Sequence, residues 1–188
     1  MARKGGNQVR IIGGEHRGRK LSFPDLPGLR PSGDRVRETL FNWLQPVIAN
    51  ARCLDLFAGS GALGLEAASR GAREVVMVDD APRVVRQLEA NRDLLGLSRV
   101  QVIKADALIW LEQNPHPFDL VFVDPPFAAG LLGEVCMKLE TRGWLTADAL
   151  IYLEDDAGRD YGVLPANWQW YRQQQAGQVR FGLAKRHT

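Results

Sequence analysis

The chain has 188 residues, 45% of them hydrophobic and 24% charged, with a net charge of +2, which suits one domain with a proper core. No apolar run approaches the roughly 18 residues of a membrane helix, and Met-Ala-Arg-Lys-Gly-Gly at the start has no apolar segment behind its charges, so neither a spanning helix nor a signal peptide is expected. Cys53 and Cys136 sit in apolar patterns without a Cys-x-x-Cys, and three scattered histidines join no cluster, so reduced core thiols, a cytoplasmic protein and no metal site are expected.

Residues 1–37 carry nine Lys/Arg against three acids, a net +6, while the other 15 basic and 19 acidic residues leave the remainder at −4. A basic arm on a mildly acidic body suits a polyanion partner. Residues 1–8 read as disordered. Two short strands, 9–12 and 20–23, around Gly13-Gly14 and Gly18 predict a hairpin. Pro24, Pro27, Gly28 and Pro31 mark a loop. Asp34 is placed to cap a helix from Arg35 to about Leu44, whose apolar positions Val36, Leu40, Phe41 and Leu44 recur at helical spacing and which Pro46 limits.

From residue 51 strands and helices alternate. Strands are predicted at 53–57, 75–79, 100–104, 120–123 and 150–154, with helices near 63–70, 82–95, 107–113 and 131–142 between them. Residues 168–174 and 178–183 read as a closing antiparallel pair. Such alternation predicts an α/β fold, a mostly parallel sheet with helices on both faces. The division expected is a basic N-terminal extension at 1–46 and an α/β domain at 47–188.

Strand 53–57 runs into Asp55-Leu56-Phe57-Ala58-Gly59-Ser60-Gly61-Ala62-Leu63-Gly64, and Gly59, Gly61 and Gly64 match Gly-x-Gly-x-x-Gly. Asp79, 20 residues past Gly59, ends the next strand, where a ribose-binding acid belongs. Taken alone this suits NAD. Asp55, ahead of the first glycine, suits a ligand with an ammonium better than a pyrophosphate. Asp106 follows the third strand and can receive an adenine amino group. These acids move the reading to S-adenosylmethionine, although Asp79 and Asp106 are also placed to cap the helices after them. The fourth strand ends in Asp124-Pro125-Pro126-Phe127. Asp124 and a backbone carbonyl fixed by the prolines can accept hydrogen bonds from an exocyclic –NH2, and Phe127 offers a flat face to a base.

These motifs together resemble class I S-adenosylmethionine-dependent methyltransferases acting on amino nitrogens. The blocks Arg10-Ile11-Ile12-Gly13-Gly14, Arg17-Gly18-Arg19-Lys20-Leu21 and Arg30-Pro31 through Asp34-Arg35-Val36-Arg37-Glu38-Thr39-Leu40-Phe41-Asn42-Trp43-Leu44 are similar to the RsmD family. The resemblance runs from about Val9 to Leu183. It departs at Ser32, where the family usually has Thr, and at Asp79, where it often has Glu. It implies a Rossmann-like fold with a seven-stranded sheet plus the N-terminal hairpin and helix, and a monomer. It implies methylation of N2 of one guanine, position 966, in 16S rRNA of the bacterial small ribosomal subunit. Asp124, Pro125, Pro126 and Phe127 would be catalytic, and Asp55, Phe57, Gly59, Gly61, Gly64, Asp79, Asp106 and Asp124 would hold the cofactor. Arg10, Arg17, Arg19, Lys20, Arg30, Arg35 and Arg37 would meet RNA, with Arg35 and Arg37 equally able to pair with nearby acids. The other readings are a DNA adenine-N6 methyltransferase using the same tetrapeptide, an NAD-dependent oxidoreductase supported only by the glycines, and a non-catalytic RNA-binding protein on this scaffold.

Overall fold

The computed structural model of the chain describes residues 7–126, 130–159 and 164–188. Strands β1 (Asn7–Arg10) and β2 (Lys20–Phe23) pair antiparallel with Val9 opposite Leu21, which gives the expected hairpin with its first strand two residues early: Asn7 and Gln8, expected to be disordered, pair with Phe23 and Ser22. Val9, Leu21 and Phe23 bury one face of it, while Arg10 and Lys20 stay in solvent.

Helix α1 (Asp34–Ile48) runs past the expected stop and through Pro46. So near the helix end, proline removes one backbone donor and leaves later ones intact, and buried Ile48 anchors the last turn in the core. Asp34 is not the expected cap. Gly33 holds that position without a side-chain hydrogen bond, and the Asp34 carboxylate instead accepts from Arg10 at 3.1 Å and Arg37 at 2.7 Å.

Seven strands form one sheet: β3 (Arg52–Asp55), β4 (Glu74–Asp79), β5 (Val100–Lys104), β6 (Phe118–Val123), β7 (Leu145–Asp156), β8 (Trp168–Ala176) and β9 (Val179–Arg186). Their order is β5-β4-β3-β6-β7-β9-β8. β3 to β7 are mutually parallel, and β9 runs antiparallel to β7 and β8. Helices α2 (Ala62–Ser69), α3 (Pro82–Leu94), α4 (Ala107–Trp110) and α5 (Leu132–Thr141) cover the two faces. Strand alternation builds two cores. Cys53, Val75, Met77 and Phe122 pack with α1, α2 and α3 on one face, and Leu54, Val76, Val121 and Ile151 pack with α4 and α5 on the other. Among the described residues, no helix is long and apolar enough to cross a membrane.

Two elements stop two or more residues short of their expected ends, and β7 runs past both of its own. β3 ends at Asp55 rather than 57, because the glycine turn begins there. α4 ends at Trp110 rather than 113, because the exposed residues Glu112, Gln113 and Asn114 offer no face to bury before Pro115.

A buried ionic clamp ties the segment after β1, and α1, to α2. Glu66 on α2 is fully buried, and its carboxylate accepts the backbone N–H of Ile12 and of Gly13, each at 2.8 Å, and the Arg70 Nε at 2.8 Å. Arg37, equally buried, lies 3.5 Å from the same carboxylate and donates to the carbonyls of Arg10 and Ser32. Gly14 is at φ +77°, where a Cβ would stand 2.0 Å from the Ser69 carbonyl oxygen, so only glycine permits this approach.

Candidate active site

β3, β4 and β5 step outward in one direction and β6 and β7 in the other, so the strand order reverses between β3 and β6. Open α/β sheets bind ligands beyond the carboxyl ends of their strands at such a reversal. A cleft of about 620 Å³ opens there. The acids Asp55, Asp79, Asp106 and Asp124, expected from four separate strand ends, all line it, as do Phe57, Gly59, Pro125, Pro126 and Arg30. Phe127 lies outside the described residues. Gly61 and Gly64 do not line the cleft. Gly61 sits at φ +80° at the start of α2, and a Cβ on Gly64 would come within 3.0 Å of Asp55 and Met77, so both serve the close packing of α2 on the sheet.

Each acid has an identifiable environment. Asp55 is buried, and its carboxylate accepts the backbone N–H of Gly64 at 2.9 Å and that of Phe57. Burial, with Asp79 nearby, pushes it up to about 7 against the pull of those two donors. Asp79 accepts from the N–H of Gly59 at 2.9 Å and of Ala81 at 3.0 Å, and burial raises it as well. It therefore fixes both the glycine turn and the start of α3 while facing the cleft. Asp106 caps α4 through the Ile109 N–H at 3.0 Å, so the capping alternative and the cleft-lining position both hold.

Asp124 belongs to a cluster that sequence reasoning misses. Glu154 on β7 is buried, and its Oε2 accepts the Ser32 hydroxyl at 2.8 Å and the Tyr152 hydroxyl at 2.6 Å. Ser32 Oγ also lies 3.4 Å from Asp124 Oδ2. Burial, then Glu154, then Asp55 hold Asp124 well above the usual carboxylate range. Burial likewise raises Glu154 against the Tyr152 and Ser32 hydrogen bonds. The signal that could have found it is an acid at the end of the apolar run Leu150–Leu153, the same pattern that singles out Asp55.

Arg10, Arg17, Arg19, Lys20, Arg30 and Arg35 are exposed on the N-terminal extension. Arg37 is a correction. It is fully buried in the Glu66 clamp, and a guanidinium consumed by interior acceptors has no face for RNA phosphate. The signal lies in its spacing, since Arg37, Phe41, Leu44 and Ile48 follow the i, i+4, i+7, i+11 stripe of α1's buried face.

Fold and cleft together define a class I methyltransferase. A protein of Escherichia coli strain K12 named ribosomal RNA small subunit methyltransferase D is 51% identical over 184 residues, covering 98% of this chain and 93% of that protein. A solved methyltransferase structure from Escherichia coli superposes with a TM-score of 0.89 at 49% identity, covering 97% of this chain and 99% of that one. A further methyltransferase, solved in complex with SAH, shares the fold at 16% identity with a TM-score of 0.75, covering 98% of this chain and 57% of that one. The family model described as Conserved hypothetical protein 95 matches residues 9–185. The chain belongs to that family, the one that contains ribosomal RNA small subunit methyltransferase D.

Proposed function

We propose that this methyltransferase moves a methyl group from S-adenosylmethionine to the exocyclic N2 of one guanine, position 966, in the 16S rRNA of the small ribosomal subunit. One observation carries the methyl-transfer chemistry: the three acids Asp55, Asp79 and Asp106 line the same cleft as the Asp124-Pro125-Pro126 tip; the guanine and its position rest on the likeness to the family. The donor set fits the cofactor, with acids for an ammonium, for ribose hydroxyls and for an adenine amine, and a glycine turn open to close approach. When bound, the cofactor supplies a methyl group already activated on a sulfonium.

The chain's own residues position the acceptor. Asp124 and the Pro125 carbonyl accept N–H bonds from the amine, which draws its nitrogen toward tetrahedral geometry and localises the lone pair. Phe127 stacks on the base. Holding the two reactants in line accounts for most of the acceleration. The target base reaches the cleft unpaired or turned out of its stack. Exposed Arg10, Arg17, Arg19, Lys20, Arg30 and Arg35 grip phosphate around it.

A tritiated-cofactor assay with undermodified small subunits, free RNA and duplex DNA, followed by mass-spectrometric mapping, tests this. Label is expected in one N2-methylguanine of 16S rRNA. Label in DNA adenine, or in another rRNA position, overturns it.

A further inference from the structure

Methyl transfer as proposed uses only the first member of the buried chain Asp124–Ser32–Glu154–Tyr152, and the rest of that chain is costly to bury. Glu154 and Ser32 are nearly inaccessible, on β7 and on the loop before α1 respectively. The only described group that touches both carboxylates is the Ser32 hydroxyl, which has one proton to give. At 2.8 Å that proton goes mainly to Glu154. The same hydroxyl reaches Asp124 Oδ2 only at 3.4 Å, so it donates weakly there and lowers Asp124 less than burial and Glu154 raise it. Among the described residues, the further charged groups that shift Asp124 are acidic: Asp55 from β3 and Asp155 from β7. Within this chain of groups, Arg37 reaches only the Ser32 carbonyl. Two carboxylates in such surroundings cannot both ionise cheaply.

We propose that Glu154 and Ser32 are positioning residues for methyl transfer: by coupling their hydrogen-bonded chain to Asp124, they make its carboxylate the acceptor of the proton that the target amine loses. The proposal rests on the reading that Asp124 binds that amine. The balance closes within the cleft. The nitrogen lone pair forms the N–C bond, and the electrons of the broken C–S bond stay on sulfur. The N–H bond then breaks, its electrons remain on nitrogen, and its proton forms an O–H bond at Asp124. On transfer the positive charge would pass from sulfur to the methylated nitrogen, and moving the proton from that nitrogen to Asp124 neutralises both groups. An aspartate with an ordinary pKa of about 3.9 could not hold that proton.

The test is a titration of 13C-labelled Asp and Glu carboxyls by NMR in the protein without cofactor, with single-turnover methyl transfer followed against pH. Asp124→Asn assigns the Asp124 signal. In the wild type Asp124 is expected to titrate above the usual carboxylate range. Glu154→Gln, which removes a charge, is expected to lower that midpoint by about one pH unit or more, and the inflection in the transfer rate is expected to move with it. Ser32→Ala, which removes a donor, is expected to raise the midpoint, and Ser32→Thr, which keeps the hydroxyl, to restore it. A purely structural role would not give shifts of opposite sign. Unmoved midpoints in both Glu154→Gln and Ser32→Ala overturn the proposal, and the Ser32 pair decides alone where Glu154→Gln does not fold. Asp124→Asn transferring at the wild-type rate overturns the underlying reading instead, whereas an inactive Asp124→Asn beside unmoved midpoints overturns only the inference.

Discussion

Among the described residues, Asp124 has no backbone hydrogen bond at the end of β6, and the charged groups that shift its carboxylate are all acidic. On the proposed reading its role is chemical rather than structural. Asp124→Asn keeps the shape and loses the anion, so transfer is expected to fall by about two to three orders of magnitude, while cofactor affinity by calorimetry stays within a few-fold. Asp55 is different, because its carboxylate ties β3 to α2 through Gly64 and lines the cleft as well. Residues of the first kind are legible in the sequence, since an acid after an apolar strand is expensive to bury without a purpose. Glu154 carries the same signature yet escapes, because its partner Ser32 stands 122 positions away and only the fold brings them together. Arg37 is misread when charge is weighed ahead of helical spacing.

The N-terminal elements are held by the Glu66 clamp and by apolar packing of Val9, Ile11, Leu21, Leu40 and Phe41 rather than by a continuous sheet, since β1 and β2 form their own two-stranded unit. Removing one partner of a buried ion pair strands the other charge. Glu66→Ala is therefore expected to destabilise the protein by about 3–5 kcal/mol in urea unfolding, with early proteolytic cleavage between residues 10 and 33. Gly14→Ala strikes the same junction from the other side, where strain at φ +77° and collision with Ser69 are expected to cost about 3 kcal/mol or more. The alternating order of strands and helices is readable because each strand has one clear apolar run. Element ends are less so: tertiary burial of Ile48 carries α1 through Pro46, and no local signal announces that.

Across the molecule, acids pull stability in two directions with pH. Asp55, raised to about 7 from 3.8, binds its proton more tightly in the folded state. Its contribution is fully present below about 3.8 and is lost as pH rises through about 7. Glu140 is held down to about 2 by its hydrogen bonds with Arg186, Trp168 and Asn167, and its contribution, present above 4.5, is lost as pH falls toward 2. Thermal unfolding of the cofactor-free protein is thus expected to peak on the acid side of neutrality, and Asp55→Asn to flatten the decline above it. The charge asymmetry acts at the same scale. Neutralising Arg17, Arg19 and Lys20 together is expected to weaken binding to single-stranded RNA and to reduce the slope of log K against log salt by about 0.7 for each phosphate that the protein no longer neutralises. An unchanged slope would place the RNA elsewhere.

The proposed chemistry turns on one juxtaposition, a methyl donor lying among the strand-end acids with its reactive end toward the tip of β6. A crystal structure with S-adenosylhomocysteine measures it directly. The ligand is expected in the cleft, with its ribose at Asp79, its adenine at Asp106 and its sulfur facing Asp124 and Pro125. A ligand bound outside that cleft, or with its sulfur turned away from Asp124, would contradict it.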